Sequence, residues 1–250
     1  MEYRNQQGGI VVGRDRATVG VDEGLRQYML KVYNWMALGL ALTGAVAFAV
    51  TSVQALSDIF YVSAANGRPI SLTIPGWIAL FAPIAVVFFF SFRLHALSAA
   101  TAQTVFWLFA GLMGLSLAPT IAVFTAQSVA KVFFISAAMF GVMSLYGYTT
   151  KRDLTGIGNF LIMGVFGLLI AMIVNIFLQS SALGFAISIL GVLIFVGLTA
   201  YDTQKIKESY VVSDDGETMT KKGILGALNL YLDFINIFVF LLQLLGVRKD

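Results

Sequence analysis

The stretch LNLYLDFINIFVFLLQLLG, residues 228–246, decides the fold because it is an apolar run that nevertheless carries polar side chains. A hydrocarbon core about 30 Å thick needs about 20 helical residues, and this run has that length. Its polar residues are spaced four, three and seven positions apart and therefore share one face of a helix: Asn229, Asp233, Asn236 and Gln243. Lipid does not solvate such a stripe. We therefore predict that the helix lies inside a bundle and turns the stripe toward a polar pathway.

The rest of the chain predicts an all-α integral membrane protein. Of its 250 residues 58% are hydrophobic and only 12% are charged, and the mean hydropathy is +0.86, whereas soluble domains have about 25% charged residues. Open sheets cannot cross lipid, so the apolar runs are predicted to be helices. Residues 1–24 are predicted to form a mobile cytoplasmic tail. Residues 25–250 form the membrane domain, with seven predicted spans at 32–53, 74–92, 102–123, 129–148, 157–178, 183–204 and 226–246.

The distribution of Lys and Arg predicts a cytoplasmic N-terminus. With seven spans in that orientation, four of the 16 basic residues fall outside: Arg68, Lys131, Arg248 and Lys249. The other twelve fall in the cytoplasm: Arg4, Arg14, Arg16, Arg26, Lys31, Arg93, Lys151, Arg152, Lys205, Lys207, Lys221 and Lys222. Because the two basic residues at the C-terminus lie on the less favoured side, an alternative with six spans and a re-entrant last segment stays open.

A second lone acid closes the predicted sixth span, where Asp202 stands in GLTAYDTQ, residues 197–204. A charge at the centre of a spanning helix costs about 2.5 to 3.5 kcal/mol, so such residues usually face a bundle interior or an aqueous cavity. The depths of Asp202 and Asp233 are compatible with contact, and two touching carboxylates are expected to share one proton. Two alternatives stay open: each acid bonds to a neighbouring helix in a structural role, or Asp202 lies at the interface.

The second span ends in FFFSFRLH, residues 88–95, which brings Arg93 to the predicted cytoplasmic side where Asp202 also lies. The guanidinium has two possible roles: it pairs with the acids as part of a gate, or it anchors the helix at the headgroups. His95, the only histidine, is a candidate pH sensor, although a lone interfacial histidine more often has no special role.

Several function classes are disfavoured by what the chain lacks. It has no cysteine, which excludes thiolate metal sites and cysteine nucleophiles, and no Walker loop, HExxH or G-x-S-x-G motif, so we predict that it is not an enzyme. The net charge of +3 is explained by topology, and no nucleic-acid partner is predicted. A Tyr-Asp pair followed by a second Asp resembles presenilin-like proteases, but the second acid stands in YLDF rather than GxGD. The loop acids Asp214, Asp215 and Glu217 lack the spacing of an EF-hand.

Five ordered stretches resemble the Bax inhibitor-1 family, also called Lifeguard. They are KVYNWMALGLALTG at 31–44, GLMGLSLAP at 111–119, YGYTTKRDLTGIG at 146–158, AYDTQKIK at 200–207 and the stretch at 228–246. The resemblance runs from about Val21 to the C-terminus and is closest to the alphaproteobacterial branch. It implies seven transmembrane helices, six of them surrounding a central C-terminal helix, in a bacterial inner membrane.

The resemblance also implies a function. Bacterial members of the family are described as pH-sensitive calcium leaks gated by aspartates on the sixth and seventh helices, which match Asp202 and Asp233. An arginine that latches to this pair in the closed state matches Arg93. Calcium prefers six to eight oxygen ligands, so the pair is expected to bind it weakly and transiently, as a permeant ion and not as a cofactor. Some members carry an acid in the second span, but this chain has none between Pro75 and Phe92, so a pore site would have fewer oxygen ligands for calcium.

Two other functions stay open. The first is a non-transporting regulator of other membrane proteins, such as a membrane-anchored AAA protease, with the tail as the docking segment. The second is a proton-coupled transporter, although no inverted repeat is visible in the chain.

Overall fold

Long apolar helices make up most of the part of the chain that the structure describes. The structure is a computed structural model, and it describes residues 23–64, 69–93 and 97–249, without the side chains of residues 91–93. Within those residues the helices are α1 Glu23–Ser52, α2 Gln54–Phe60, α3 Ile74–Arg93, α4 Ala99–Ala122, α5 Ala126–Thr149, α6 Thr155–Leu178, α7 Ser181–Ser209 and α8 Gly216–Leu245. Two strands, β1 Tyr61–Ser63 and β2 Pro69–Leu72, lie between α2 and α3.

Side-chain caps fix where several of these helices begin. An oxygen of the residue before the helix accepts a hydrogen bond from a first-turn amide, which satisfies one of the four amides that have no partner within the helix. This holds for α4, α5, α7 and α8, with the caps Ser98, Thr125, Ser180 and Asp215. Leu154 precedes α6 and cannot cap it, so the Thr155 amide donates instead to Asp153 Oδ1 at 2.8 Å.

Six of the described helices are long and apolar enough to cross a membrane: α1, α4, α5, α6, α7 and α8. The chain is therefore an all-helical membrane protein. The apolar part of α3 is shorter, Ile74–Phe90. Three helices extend beyond the predicted spans: α1 begins at Glu23 rather than at 32, α7 ends at Ser209 rather than at 204, and α8 begins at Gly216 rather than at 226. Hydropathy marks the hydrocarbon-facing part of a helix, whereas these helices continue through polar turns beyond it.

The strands form an element that the sequence analysis did not predict. β1 and β2 pair antiparallel with Tyr61 opposite Leu72, and Tyr61 packs into a small core with Val50, Ala118 and Ala122. The C-terminal residues lie nearby. The Thr125 amide donates to Val247 O and the Lys249 amide donates to Val123 O, both at 2.9 Å. We call this end of the bundle, formed by β1, β2, the α4–α5 turn and residues 246–249, the hairpin end.

The main core is built around α8, which packs against α1, α4, α5 and α7. Of the residues in its apolar segment 72% are buried, compared with 6% in the corresponding segment of α6. Tyr231 is fully buried, with its ring 5.5 Å from that of Phe109 and its hydroxyl 2.7 Å from Thr43 Oγ1. The helix is unbroken over 30 residues. It does not have the broken form that a re-entrant segment requires.

Candidate functional site

The structure brings the two predicted acids together. Asp202 on α7 and Asp233 on α8 lie close enough for their carboxyl groups to share a hydrogen bond and to repel each other when both are charged. Asp233 is only 3% exposed, and its Oδ2 has no hydrogen-bond partner among the described residues. Asp202 is half-buried. The contact joins two titratable groups across the closest helix pair of the bundle.

Glycines allow α7 and α8 to approach closely enough for this contact. A Cβ on Gly191 would lie 2.5 Å from the Phe240 ring, and one on Gly226 would lie 3.0 Å from Ile206. The first distance is shorter than a Cβ tolerates, so only glycine fits at Gly191 without movement of its neighbour, and the second would require Ile206 to give way by a few tenths of an ångström. In lipid, helix association depends on such packing and not on the hydrophobic effect. The small residues therefore position the acids.

The predicted polar stripe is only partly interior. Asp233 is buried, but Asn229 and Asn236 are half-buried and Gln243 is exposed. The polar pathway that the stripe is predicted to face stays a prediction, and the amides are less buried than Asp233. The reason is that α8 has one face that α1, α4, α5 and α7 leave partly uncovered, and the amides lie on it. Asp233 stands at the edge of this face, beside α7.

The amides of the stripe have different surroundings. The Asn236 side chain donates from Nδ2 to Leu232 O at 2.8 Å, within its own helix. Gln243 lines a cavity of about 530 Å³ at the hairpin end, between β2, α3, α4 and the end of α8. Polar groups on its wall include Ser116, Thr120 and Arg248, and the wall has no carboxylate. This cavity lies at one end of the partly uncovered face.

The arginine predicted to latch the acids lies outside what the structure describes. Arg93 is the last residue of α3, but its side chain is not among those described, and His95 is outside the described residues altogether. Most of the predicted tail, residues 1–22, is outside them too. The roles assigned to these residues stay predictions.

No group of three or more His, Cys, Asp or Glu side chains in the described ranges could hold a metal ion. The pair of Asp202 and Asp233 supplies two carboxylates. The loop acids have structural partners: Asp214 Oδ2 accepts from Lys222 Nζ at 2.6 Å, and Asp215 caps α8. The hydrogen bond from Thr218 to Asp215 lowers the pKa of that carboxyl. These contacts are those of a connector and not of a calcium loop.

Two buried polar contacts near the acids were missed by the sequence analysis. Tyr33 Oη lies 2.6 Å from Ser144 Oγ, which lies 3.0 Å from Thr203 Oγ1, so hydroxyls link α1, α5 and α7. Gln204 accepts from the Leu154 amide and donates to Arg152 O, both at 2.8 Å. Single Ser, Thr and Gln residues show no periodic pattern in an apolar helix, so the sequence gives no signal for their partners.

Comparison with known proteins assigns the chain to a family. A family model described as "Inhibitor of apoptosis-promoting Bax1" matches residues 25–250. The chain belongs to the Bax inhibitor-1 family. Among its Bax inhibitor-1 relatives, a Rickettsia prowazekii protein is 47% identical over 229 residues, which is 92% of this chain and 93% of the relative. A Caulobacter vibrioides protein is 46% identical over 237 residues, 94% of each chain.

A further relative carries a name that states its location. The Escherichia coli "Inner membrane protein YbhL" is 43% identical over 228 residues, covering 90% of this chain and 94% of the relative. The resemblance found in the five sequence stretches is therefore confirmed at the level of the family.

Proposed function

We propose that the chain is a pH-sensitive cation leak channel of a bacterial inner membrane, gated by Asp202 and Asp233. The observation that carries the proposal is the contact of two carboxyl groups inside an apolar bundle, with one Asp233 oxygen buried and unpartnered among the described residues. An acid that is costly to bury and leaves one oxygen without a partner is more easily explained by function than by stability. The name of the Escherichia coli relative supports the inner membrane.

The proposal includes seven crossings, with α3 as the second and α8 as the central helix. Support comes from the hairpin end, where the β-hairpin, the α4–α5 turn and the C-terminus meet. These segments fall on one side of a membrane only if α3 crosses it. The high burial of α8 supports its central place. The Lys and Arg bias then puts the N-terminus in the cytoplasm.

The acid pair supplies the switch in this mechanism. With one proton between them, the carboxyls are joined by a hydrogen bond that holds α7 against α8. When that proton is lost, two like charges face each other in a medium of low dielectric constant, and repulsion opens the helices unless Arg93 neutralises it. Further acidification protonates both groups and weakens the bridge in turn.

Calcium is the proposed permeant ion. The pair offers two carboxylates, and the amides of the stripe and water would supply further oxygens. Since calcium prefers six to eight such ligands, the ion is held weakly, which suits passage better than storage. The partly uncovered face of α8, from Asn229 to Gln243, is the proposed route.

The test is ion flux into proteoliposomes that contain the full chain, measured across a pH series with calcium and with monovalent cations. Wild-type flux should change with pH, and the Asp202→Asn and Asp233→Asn variants should each lose that dependence. Asp58→Asn is the matched control, because Asp58 is exposed near the hairpin end and, among the described residues, its side chain accepts a hydrogen bond from Gln54.

Three outcomes separate the competing functions. Flux that keeps its pH dependence in both variants contradicts the gating role of the pair. Flux that equals that of empty liposomes at every pH, together with a membrane protein that co-purifies only when residues 1–22 are present, favours the regulator. Uphill movement driven by a proton gradient favours the coupled transporter.

A further inference from the structure

A groove runs along the surface of the bundle between α1 and α5. Both helices pack closely against α8 but meet each other only weakly. Near the end opposite the hairpin, Tyr33 and Ser144 bridge them with the hydrogen bond described above. Elsewhere the two helices are separated, and α8 forms the inner wall between them.

Three adjoining cavities make up this groove. They have volumes of about 470 Å³ at the hairpin end, 420 Å³ in the middle and 570 Å³ at the opposite end. The first two share Gly44, Phe133 and Phe234, and the last two share Phe140. The groove therefore follows α1 for most of its length. Each volume lies within the range of about 300–1,000 Å³ that is usual for ligand pockets.

The walls are apolar along the groove and polar at its hairpin end. The inner wall carries Phe234 and Phe238 of α8, with the Phe133 ring of α5 5.4 Å from that of Phe234. At the hairpin end the wall contains Thr51, Ser52 and Lys249. A groove that is apolar along its length and ends in hydroxyls and a cation is complementary to an amphiphile with a negatively charged head group.

Lys249 is held in place at that end. Its backbone amide donates to Val123 O, and within the described ranges its side chain forms no ion pair with a carboxylate. The residue is exposed and lies four residues after the end of α8, so it stands where lipid headgroups lie. A cation in that position attracts anionic headgroups.

We propose that this groove binds one anionic phospholipid, with an acyl chain between α1 and α5 and the phosphate at Lys249. The charge of the cation is complementary to a phosphate, and the groove opens directly to the bilayer that supplies the lipid. The site is separate from the acid pair, because α5 and α7 contact α8 on different faces.

Gly44 offers a way to fill the groove without disturbing the bundle. A Cβ on Gly44 meets no atom within 4 Å, and the residue lines both the first and the middle cavity. A leucine there occupies the path of the acyl chain. Gly111 on α4 has equally open space at its Cβ and does not line the groove, so Gly111→Leu is the matched control.

The experiment is native mass spectrometry of the full chain in detergent, titrated with dioleoylphosphatidylglycerol and, separately, with dioleoylphosphatidylethanolamine. The wild type should retain one phosphatidylglycerol in preference to phosphatidylethanolamine. Gly44→Leu should weaken this binding at least tenfold, and Gly111→Leu should leave it unchanged. Lys249→Gln should weaken phosphatidylglycerol binding about fivefold and leave phosphatidylethanolamine unaffected. Lys131→Gln, a change at an exposed lysine outside the groove, should have no effect.

Equal retention of phosphatidylglycerol by wild type and Gly44→Leu overturns the proposal. Binding that keeps rising with lipid concentration and does not saturate at one molecule per chain also overturns the proposal. A wild-type dimer that Gly44→Leu converts to monomers shows that a second copy of the chain covers the groove instead. If Gly44→Leu does not give a folded protein, Ala130→Leu decides the question, since Ala130 is exposed on the opposite wall of the same groove.

Discussion

Helices α6 and α8 are both long and apolar, yet they occupy opposite positions in the bundle. α6 has no charged residue, and only 6% of the residues in its apolar segment are buried. α8 contains an acid and three amides within its apolar run, and it is the most buried of the candidate spans. Among these two helices, the more apolar one lies outside.

This inversion follows from the solvent. In water, apolar surface drives burial, but lipid tails are as apolar as leucine, so an apolar helix gains nothing by leaving them. A polar group is strongly stabilised by leaving lipid for the protein interior, because hydrocarbon offers it no hydrogen bond. Among the four polar residues of the stripe, Asp233 alone is buried, so avoidance of lipid explains the position of this acid and not that of the amides.

The test with the largest expected effect removes one aromatic ring from each of the two helices. Tyr231→Ala should lower the free energy of unfolding by about 3–5 kcal/mol, because it empties a fully buried site and leaves Thr43 without its hydroxyl partner. Phe177→Ala should change it by less than about 0.5 kcal/mol, since Phe177 is 83% exposed. Unfolding by denaturant in detergent measures both. Similar losses for the two variants would contradict the contrast.

A second test adds volume where helices meet. Gly191→Leu should lower the free energy of unfolding by about 1–3 kcal/mol, because its side chain collides with the Phe240 ring of α8. Gly167→Leu on α6 meets open space and should be close to neutral. The same unfolding measurement applies, and a neutral Gly191→Leu would show that α7 and α8 separate easily.

A third test compares polar groups. Asp233→Leu should leave the free energy of unfolding almost unchanged, because the loss of the hydrogen bond to Asp202 offsets the removal of a buried oxygen that has no other partner among the described residues. Asn175→Leu on α6 should lower it by about 1 kcal/mol, since Asn175 Oδ1 accepts from the Ser180 amide in the α6–α7 turn. A loss of stability in Asp233→Leu would assign that acid a structural role.

The smallest expected effect concerns the acids at the starts of the two helices. Hydrogen bonds from Thr218 and Thr155 lower the pKa of Asp215 and Asp153 below the usual value of 3.8. Because each folded-state pKa is lowered, each carboxylate stabilises the protein above about pH 4, and this contribution is lost as the pH falls further. Asp215→Ala and Asp153→Ala should therefore be slightly less stable than the wild type at pH 7. The difference should narrow at pH 3, as measured by thermal unfolding at both values.

The sequence predicted the interior position of α8 because its polar residues recur at helical spacing within one apolar run. It also predicted that Asp202 and Asp233 could meet, from their depths alone. It did not predict that Asn229 and Asn236 are half-buried, because spacing defines a face of a helix but not which neighbours cover it. The β-hairpin was missed because the short segment between the first two spans has no long apolar run, and the pairing of Tyr61 with Leu72 depends on packing against α4.

The hydrogen bonds of the Gln204 side chain offer a way to detect movement of the helix that carries Asp202. This side chain ties the start of α6 to α7 two residues after Asp202, so a displacement of α7 carries the α5–α6 turn with it. Ile157 lies in the first turn of α6 and is 56% exposed, and the chain contains no cysteine. A single cysteine introduced there would be the sole thiol, and a spin label attached to it would report the movement of α7 from the lipid-facing surface, with both acids left intact.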